Sequence, residues 1–137
     1  MDFVKAFIAG FVSTLVFHQG VLTVFYLAGA FPRAPYDLTA VPPLGIPAVI
    51  SLAFWGGVWG AAIWPLLKNA AGAAYWLRAL VIGAIGPSAV ALFIVFPLKG
   101  MPMAGGWDPK VIVGALILNG AWGFGCALLL RYMPSFG

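Results

Sequence analysis

The sequence predicts an all-α integral membrane protein, a bundle of four transmembrane helices. The 137 residues are 64% hydrophobic and only 7% charged, whereas soluble domains are about half apolar and about a quarter charged. Uncharged runs cover residues 6–32, 38–67, 79–98 and 111–130, and each has the length of about 20 residues that a helix needs to cross a bilayer. We therefore expect one membrane domain, residues 1–137.

Charged residues and loops rich in Pro and Gly mark the ends of the helices. Helix 1 is expected over residues 3–27, helix 2 over 47–67, helix 3 over 75–96 and helix 4 over 109–132. The apolar run of helix 1 is longer than the hydrophobic part of a secretory signal peptide, so we expect this helix to be retained. The loop at residues 29–47 is expected to form an ordered cap or a re-entrant flap.

The chain also shows signs of an internal duplication, with residues 1–68 and 74–132 as two tandem helical hairpins. "FVKAFIAG" aligns with "WLRALVIG", and "GGVWGAAIWPLLK" aligns with "NGAWGFGCALLLR". The second alignment matches Trp59 with Trp122. Because a hairpin returns to its starting side, the two units would be related by a pseudo-twofold axis along the membrane normal.

The basic residues indicate a membrane setting and an orientation. Seven Lys and Arg give a net charge of +4, but they are scattered singly, which favours helix-end anchors at lipid headgroups over a nucleic-acid surface. Four lie at the end of the bundle that holds both termini and three at the other. We expect a multi-pass protein of a cell membrane, such as the bacterial inner membrane, with cytoplasmic termini. The two groups are Lys5, Lys68, Arg78 and Arg131, and Arg33, Lys99 and Lys110.

Aromatic residues near the ends of the predicted helices fit the belt that forms at a membrane surface. Their amphipathic rings favour the level of the headgroups. We therefore interpret these five residues as lipid-interface anchors: Tyr36, Tyr75, Trp76, Trp107 and Tyr132.

Small residues in helices 2 and 4 are the candidates for helix packing. In lipid, close helix contact depends on small residues that let backbones meet. The same ridges fit either packing within the bundle, which we favour, or a homo-oligomer interface. A deep tryptophan also needs a partner for its indole N–H. The candidate packing residues are Gly56, Gly57, Gly60, Gly120 and Gly123, together with Trp59 and Trp122.

A polar intramembrane site is predicted from His18, Gln19 and Asn119. His18 is the only histidine in the sequence, and intramembrane ionisable groups are functional candidates. Its depth in helix 1 is similar to that of Asn119 in helix 4, so we expect these two side chains to face each other. Gln19 should point about 100° away from His18 in a regular helix. A hydrogen bond that only locks the packing is the alternative interpretation.

Catalysis is not expected. The chain contains no Glu, and its three Asp lie at helix ends or in loops. The single cysteine, Cys126, excludes an internal disulfide or a paired zinc motif. No metal site and no cofactor are predicted, although one imidazole could serve as an axial ligand to a haem or a pigment.

The sequence therefore favours a small non-enzymatic membrane protein that acts through helix association, as an accessory or structural subunit or as a homo-oligomer. A small channel or transporter with a site at His18 and Asn119 is the first alternative. The chain resembles small proton-coupled multidrug exporters only in size and helix count, because it lacks a buried carboxylate in the first helix. A haem- or pigment-binding subunit that uses His18 is the second alternative.

Overall fold

The computed structural model describes residues 2–134 and contains four long helices. These are α1 (Asp2–Leu27), α2 (Ala48–Leu67), α3 (Gly72–Leu98) and α4 (Pro109–Tyr132). Each is long and apolar enough to cross a membrane. The predicted all-α class and the four helices are confirmed, and the largest difference in the bounds is at the start of α3.

Two of the helices contain a π-helical turn. In such a turn the backbone hydrogen bonds join residues five positions apart, instead of four as in an α-helix. The first covers Thr14–His18 in α1 and the second covers Ala91–Val95 in α3. Such turns insert one residue into the helix and are frequent at functional sites. His18 ends the first of them, so the helix changes phase directly before Gln19.

Each helix packs most closely against its neighbour in sequence. The pairs are α1 with α2 and α3 with α4, and the two resulting hairpins meet mainly along α1 and α4. In the first hairpin, Gly10 of α1 lies against Gly56 and Gly60 of α2. A Cβ atom on Gly60 would overlap the carbonyl oxygen of Ala6. The two backbones therefore touch directly.

The second hairpin closes in the same way. Gly83 of α3 lies against Gly123 of α4, and a Cβ atom on Gly83 would lie 2.7 Å from the Gly123 Cα. A Cβ atom on Gly123 would overlap the carbonyl oxygen of Ala79. These glycines are therefore buried in the contact between the two helices of a hairpin and do not form an exposed surface for a second copy.

The two tryptophans that the sequence alignment pairs both connect one hairpin to the other. The indole Nε1 of Trp122 donates to the Gly10 carbonyl oxygen at 3.0 Å, and Ser13 Oγ donates to the Trp122 carbonyl oxygen at 2.6 Å. The ring of Trp59 lies against Gly86 of α3. Gly57 and Gly120 face the Phe7 ring and the Ala84 side chain.

The loop between α1 and α2 has local structure of its own. It contains a short antiparallel ribbon of β1 (Ala40–Val41) and β2 (Ile46–Pro47). Its backbone also caps α2, because the Val49 N–H donates to the Asp37 carbonyl oxygen at 2.9 Å. The loop between α3 and α4 includes a turn at Met103–Trp107.

Adding a methyl group at the helix contact should destabilise the fold. We expect Gly60→Ala to lower the free energy of unfolding by about 1–3 kcal/mol, because the new Cβ overlaps the Ala6 carbonyl. Gly20→Ala is the matched control in α1, since its Cβ meets nothing within 4 Å. The measurement is denaturant unfolding in detergent followed by circular dichroism. An unchanged Gly60→Ala protein would contradict the contact.

Candidate functional site

The predicted polar residues His18 and Gln19 form a single group with Tyr36 of the loop. His18 Nδ1 and Gln19 Nε2 are 3.1 Å apart, and Gln19 Oε1 accepts the Tyr36 backbone N–H at 2.7 Å. The two side chains therefore contact each other, although neighbouring positions of a helix differ in direction by about 100°. The π-helical turn ends at His18, directly before Gln19.

The partners of Gln19 set the direction of its hydrogen bond to the imidazole. A backbone N–H can only donate, so the Tyr36 N–H faces the oxygen of the Gln19 amide. The amide nitrogen then faces His18 and donates to Nδ1. This arrangement corresponds to the imidazole tautomer that carries its proton on Nε2. A proton on Nδ1 would break this bond and leave two donors facing each other.

Tyr36 fastens the loop to α1 through both its backbone and its side chain. Its hydroxyl donates to the carbonyl oxygen of Leu15 at 2.7 Å, within the π-helical turn. Its φ is +54°, in the left-handed region that a bulky side chain rarely adopts. The two hydrogen bonds hold it in this conformation. Tyr36 therefore attaches the loop to α1, and its half-exposed ring also lies at the expected membrane surface.

Asn119 belongs to a different group from His18. Its Nδ2 donates to Ser88 Oγ at 2.9 Å, which joins α4 to α3. Within residues 2–134, no hydrogen bond connects His18 with Asn119. Trp55, in the first turns of α2, is 57% exposed and contacts the ring of Phe54. The structure therefore divides the predicted site into two.

A third polar group, near the middle of α1, was missed in the sequence. Gly10 offers its carbonyl oxygen to both Thr14 Oγ1, at 2.9 Å, and the Trp122 indole. Ser13 and Thr14 are both buried. Their adjacent hydroxyls within an apolar run were the available signal. Every fully buried side-chain N or O between residues 2 and 134 has a hydrogen-bond partner.

Tyr75 corrects the interpretation of the aromatic residues. It is only 7% exposed, and its hydroxyl donates to the Ala127 carbonyl oxygen. It therefore joins α3 to α4 inside the bundle and is not a lipid-interface anchor. Cys126 is also buried, as a small side chain in the same core.

The charges of the loop lie outside the bundle, near the His18 group. Asp37 is exposed, and hydrogen bonds from Thr39 lower the pKa of its carboxyl, with a smaller contribution from the charge of Arg33. Within residues 2–134 no group of three His, Cys, Asp or Glu could hold a metal ion. The arrangement around His18 therefore consists of neutral hydrogen bonds beside an exposed ionic loop.

Comparison with known proteins finds no match among family models, curated proteins or solved structures. The main functional candidates are the His18 group, the Asn119 pair and the surface cavities.

Removing the Gln19 amide should release the loop. We expect Gln19→Leu to raise hydrogen exchange at the Tyr36 amide by about fivefold, because this N–H loses its acceptor, a change of about 1 kcal/mol. Thr23→Val is the control, since the Thr23 hydroxyl bonds only to the Gln19 carbonyl of its own helix. Exchange measured by mass spectrometry in detergent checks this. Equal exchange in wild type and Gln19→Leu would contradict the assignment.

A double-mutant cycle can test which partner Asn119 uses. We expect Ser88→Ala and Asn119→Ala to be coupled by about 0.6 kcal/mol, the average for hydrogen bonds between membrane helices. His18→Ala and Asn119→Ala should be additive within about 0.5 kcal/mol. Unfolding in detergent gives both values. A larger coupling for the His18 pair would restore the direct contact expected from the sequence.

Proposed function

We propose that this chain is a non-enzymatic, multi-pass protein of a cell membrane that acts through helix association. It serves as a structural or accessory subunit, either with a second copy of itself or with another membrane protein. We place it in a bacterial inner membrane with both termini in the cytoplasm. The four apolar helices and the excess of basic residues at the terminal end support this placement.

The contacts within the hairpins support an origin by duplication. Gly10 meets Gly60 beside Ala6, and Gly83 meets Gly123 beside Ala79. These are the residues that the sequence alignment pairs. Trp59 and Trp122 also both cross from their own hairpin to the other. We therefore propose two tandem hairpins related by a pseudo-twofold axis.

The close packing inside the bundle supports the proposal that the protein acts through association. The helices of each hairpin touch backbone to backbone at glycine, and the buried polar side chains bond to each other or to carbonyls. Large apolar side chains face outward from all four helices. Contact with lipid or with another membrane protein suits these surfaces.

A channel assembled from several copies is the second candidate, and His18 is the observation that favours it. The imidazole lies within α1 beside Gln19, which binds the loop, and a proton on Nδ1 would break its bond to Gln19. Such a group could couple pH to the position of the loop. A haem or pigment held by His18 would give the purified protein a visible absorbance.

Cross-linking in membranes and a flux assay separate these proposals. We expect cross-linking to trap a complex larger than one copy, and proteoliposomes to show no solute flux at about pH 5.5 or about pH 7.5, on either side of ordinary histidine titration. An inserted protein that remains a single copy in the native membrane would contradict association. Flux that disappears in His18→Gln would favour the channel, and a visible absorbance band would favour a bound cofactor.

A further inference from the structure

A cavity of about 250 Å³ opens at the end of the bundle that holds both termini. It lies between the end of α2, the first turn of α3 and the end of α4. Its position at a helix end corresponds to the headgroup region if the protein spans a bilayer. Its lining includes Lys68, Arg131 and Tyr75 with Trp64, Leu67 and Leu130.

The charge at this cavity is strongly positive. Lys68 and Arg131 both line it, and they occupy matching positions in the proposed duplication. Of the three acidic residues in the sequence, Asp37 and Asp108 lie in the loops at the opposite end. Asp2 is therefore the only acidic side chain at this end, against four basic ones. An anion is the complementary ligand.

Two of the last carbonyl groups of α2, near the cavity, already have donors. The last carbonyls of a helix repel an anion when they are free. Here the Leu66 carbonyl accepts from Arg78 Nη1 at 3.2 Å, and the Leu67 carbonyl accepts from the Ala70 N–H at 3.0 Å. The Tyr75 hydroxyl donates to a carbonyl of α4. The bonds to Leu66 and Leu67 reduce the repulsion that the C-terminus of α2 would otherwise exert.

We propose that this cavity binds the phosphate headgroup of an anionic phospholipid. Basic pockets between transmembrane helices at the cytoplasmic surface suit such headgroups. Lys68 and Arg131 supply the donors and the charge. Trp64, Leu67 and Leu130 add an apolar surface for the glycerol and the upper acyl chain, which a free phosphate lacks. The proposal rests on the membrane location proposed above and does not require association.

The test is lipid binding to the full chain by native mass spectrometry in mild detergent, with phosphatidylglycerol, phosphatidylcholine and inorganic phosphate as probes. The cavity variant is Lys68→Gln with Arg131→Gln. The control is Lys99→Gln with Lys110→Gln, which removes the same charge at the opposite end. A charge-preserving variant, Lys68→Arg with Arg131→Lys, keeps both cations in the cavity.

We expect each lost cavity cation to weaken phosphatidylglycerol binding about fivefold. The control and the charge-preserving variant should bind like wild type, and phosphatidylcholine should bind more weakly than phosphatidylglycerol. Equal losses in the cavity and control variants would overturn the site, and so would no loss in the cavity variant. Competition by inorganic phosphate at equal concentration would overturn the lipid assignment.

Reconstitution into phosphatidylcholine vesicles distinguishes this proposal from the membrane location itself. A chain that an alkaline wash removes from these vesicles does not span them, and both proposals then fail. A chain that stays inserted but does not discriminate between the two lipids leaves the membrane location intact and overturns the site. Circular dichroism of the cavity variant should match wild type, because Lys68 and Arg131 are exposed.

Discussion

Direct backbone contact at glycine is the constraint on which this bundle depends. Gly10 against Gly60 and Gly83 against Gly123 bring each pair of helices closer than any side chain would allow. In a bilayer, the lipid chains are as apolar as leucine, so close packing and hydrogen bonds replace the hydrophobic effect as the main source of helix association. The short distance also brings carbonyl groups such as that of Gly10 within reach of side chains on other helices.

The polar side chains extend this contact between the hairpins. The Gly10 carbonyl receives the Trp122 indole from α4, while Ser13 donates to the Trp122 backbone. Both bonds cross from one hairpin to the other, so the hairpins are fixed in relative height as well as in distance. On the opposite side, Trp59 fills the space over Gly86 with its ring. The two tryptophans that the sequence alignment pairs thus make a polar contact at one hairpin junction and an apolar contact at the other.

Composition and the spacing of apolar runs were sufficient to predict four helices and most of their bounds. A helix that crosses a bilayer needs about 20 apolar residues, and the charged residues of this chain mark where such runs end. The matched glycines and tryptophans were visible as well. The direction of a side chain around the helix was harder to predict. Depth alone paired His18 with Asn119, but depth does not specify rotation, and Asn119 points to Ser88 instead. The contact of Tyr36 with Gln19 depends on a left-handed residue in a long loop, for which the sequence carries no glycine signal.

The π-helical turn in α1 gives this helix two different phases. One residue of an α-helix corresponds to about 100° of rotation. The inserted residue therefore turns the part of α1 after His18 by about that angle from the direction it would have in an uninterrupted helix. The N-terminal half of α1 presents Ala6, Gly10 and Ser13 to the other helices. The C-terminal half presents Gln19 to the loop. A deletion of one residue inside the turn would restore a single phase and rotate Gln19 away from Tyr36, while leaving the glycine contact in place. The length of this segment, more than its composition, therefore decides whether the loop is attached.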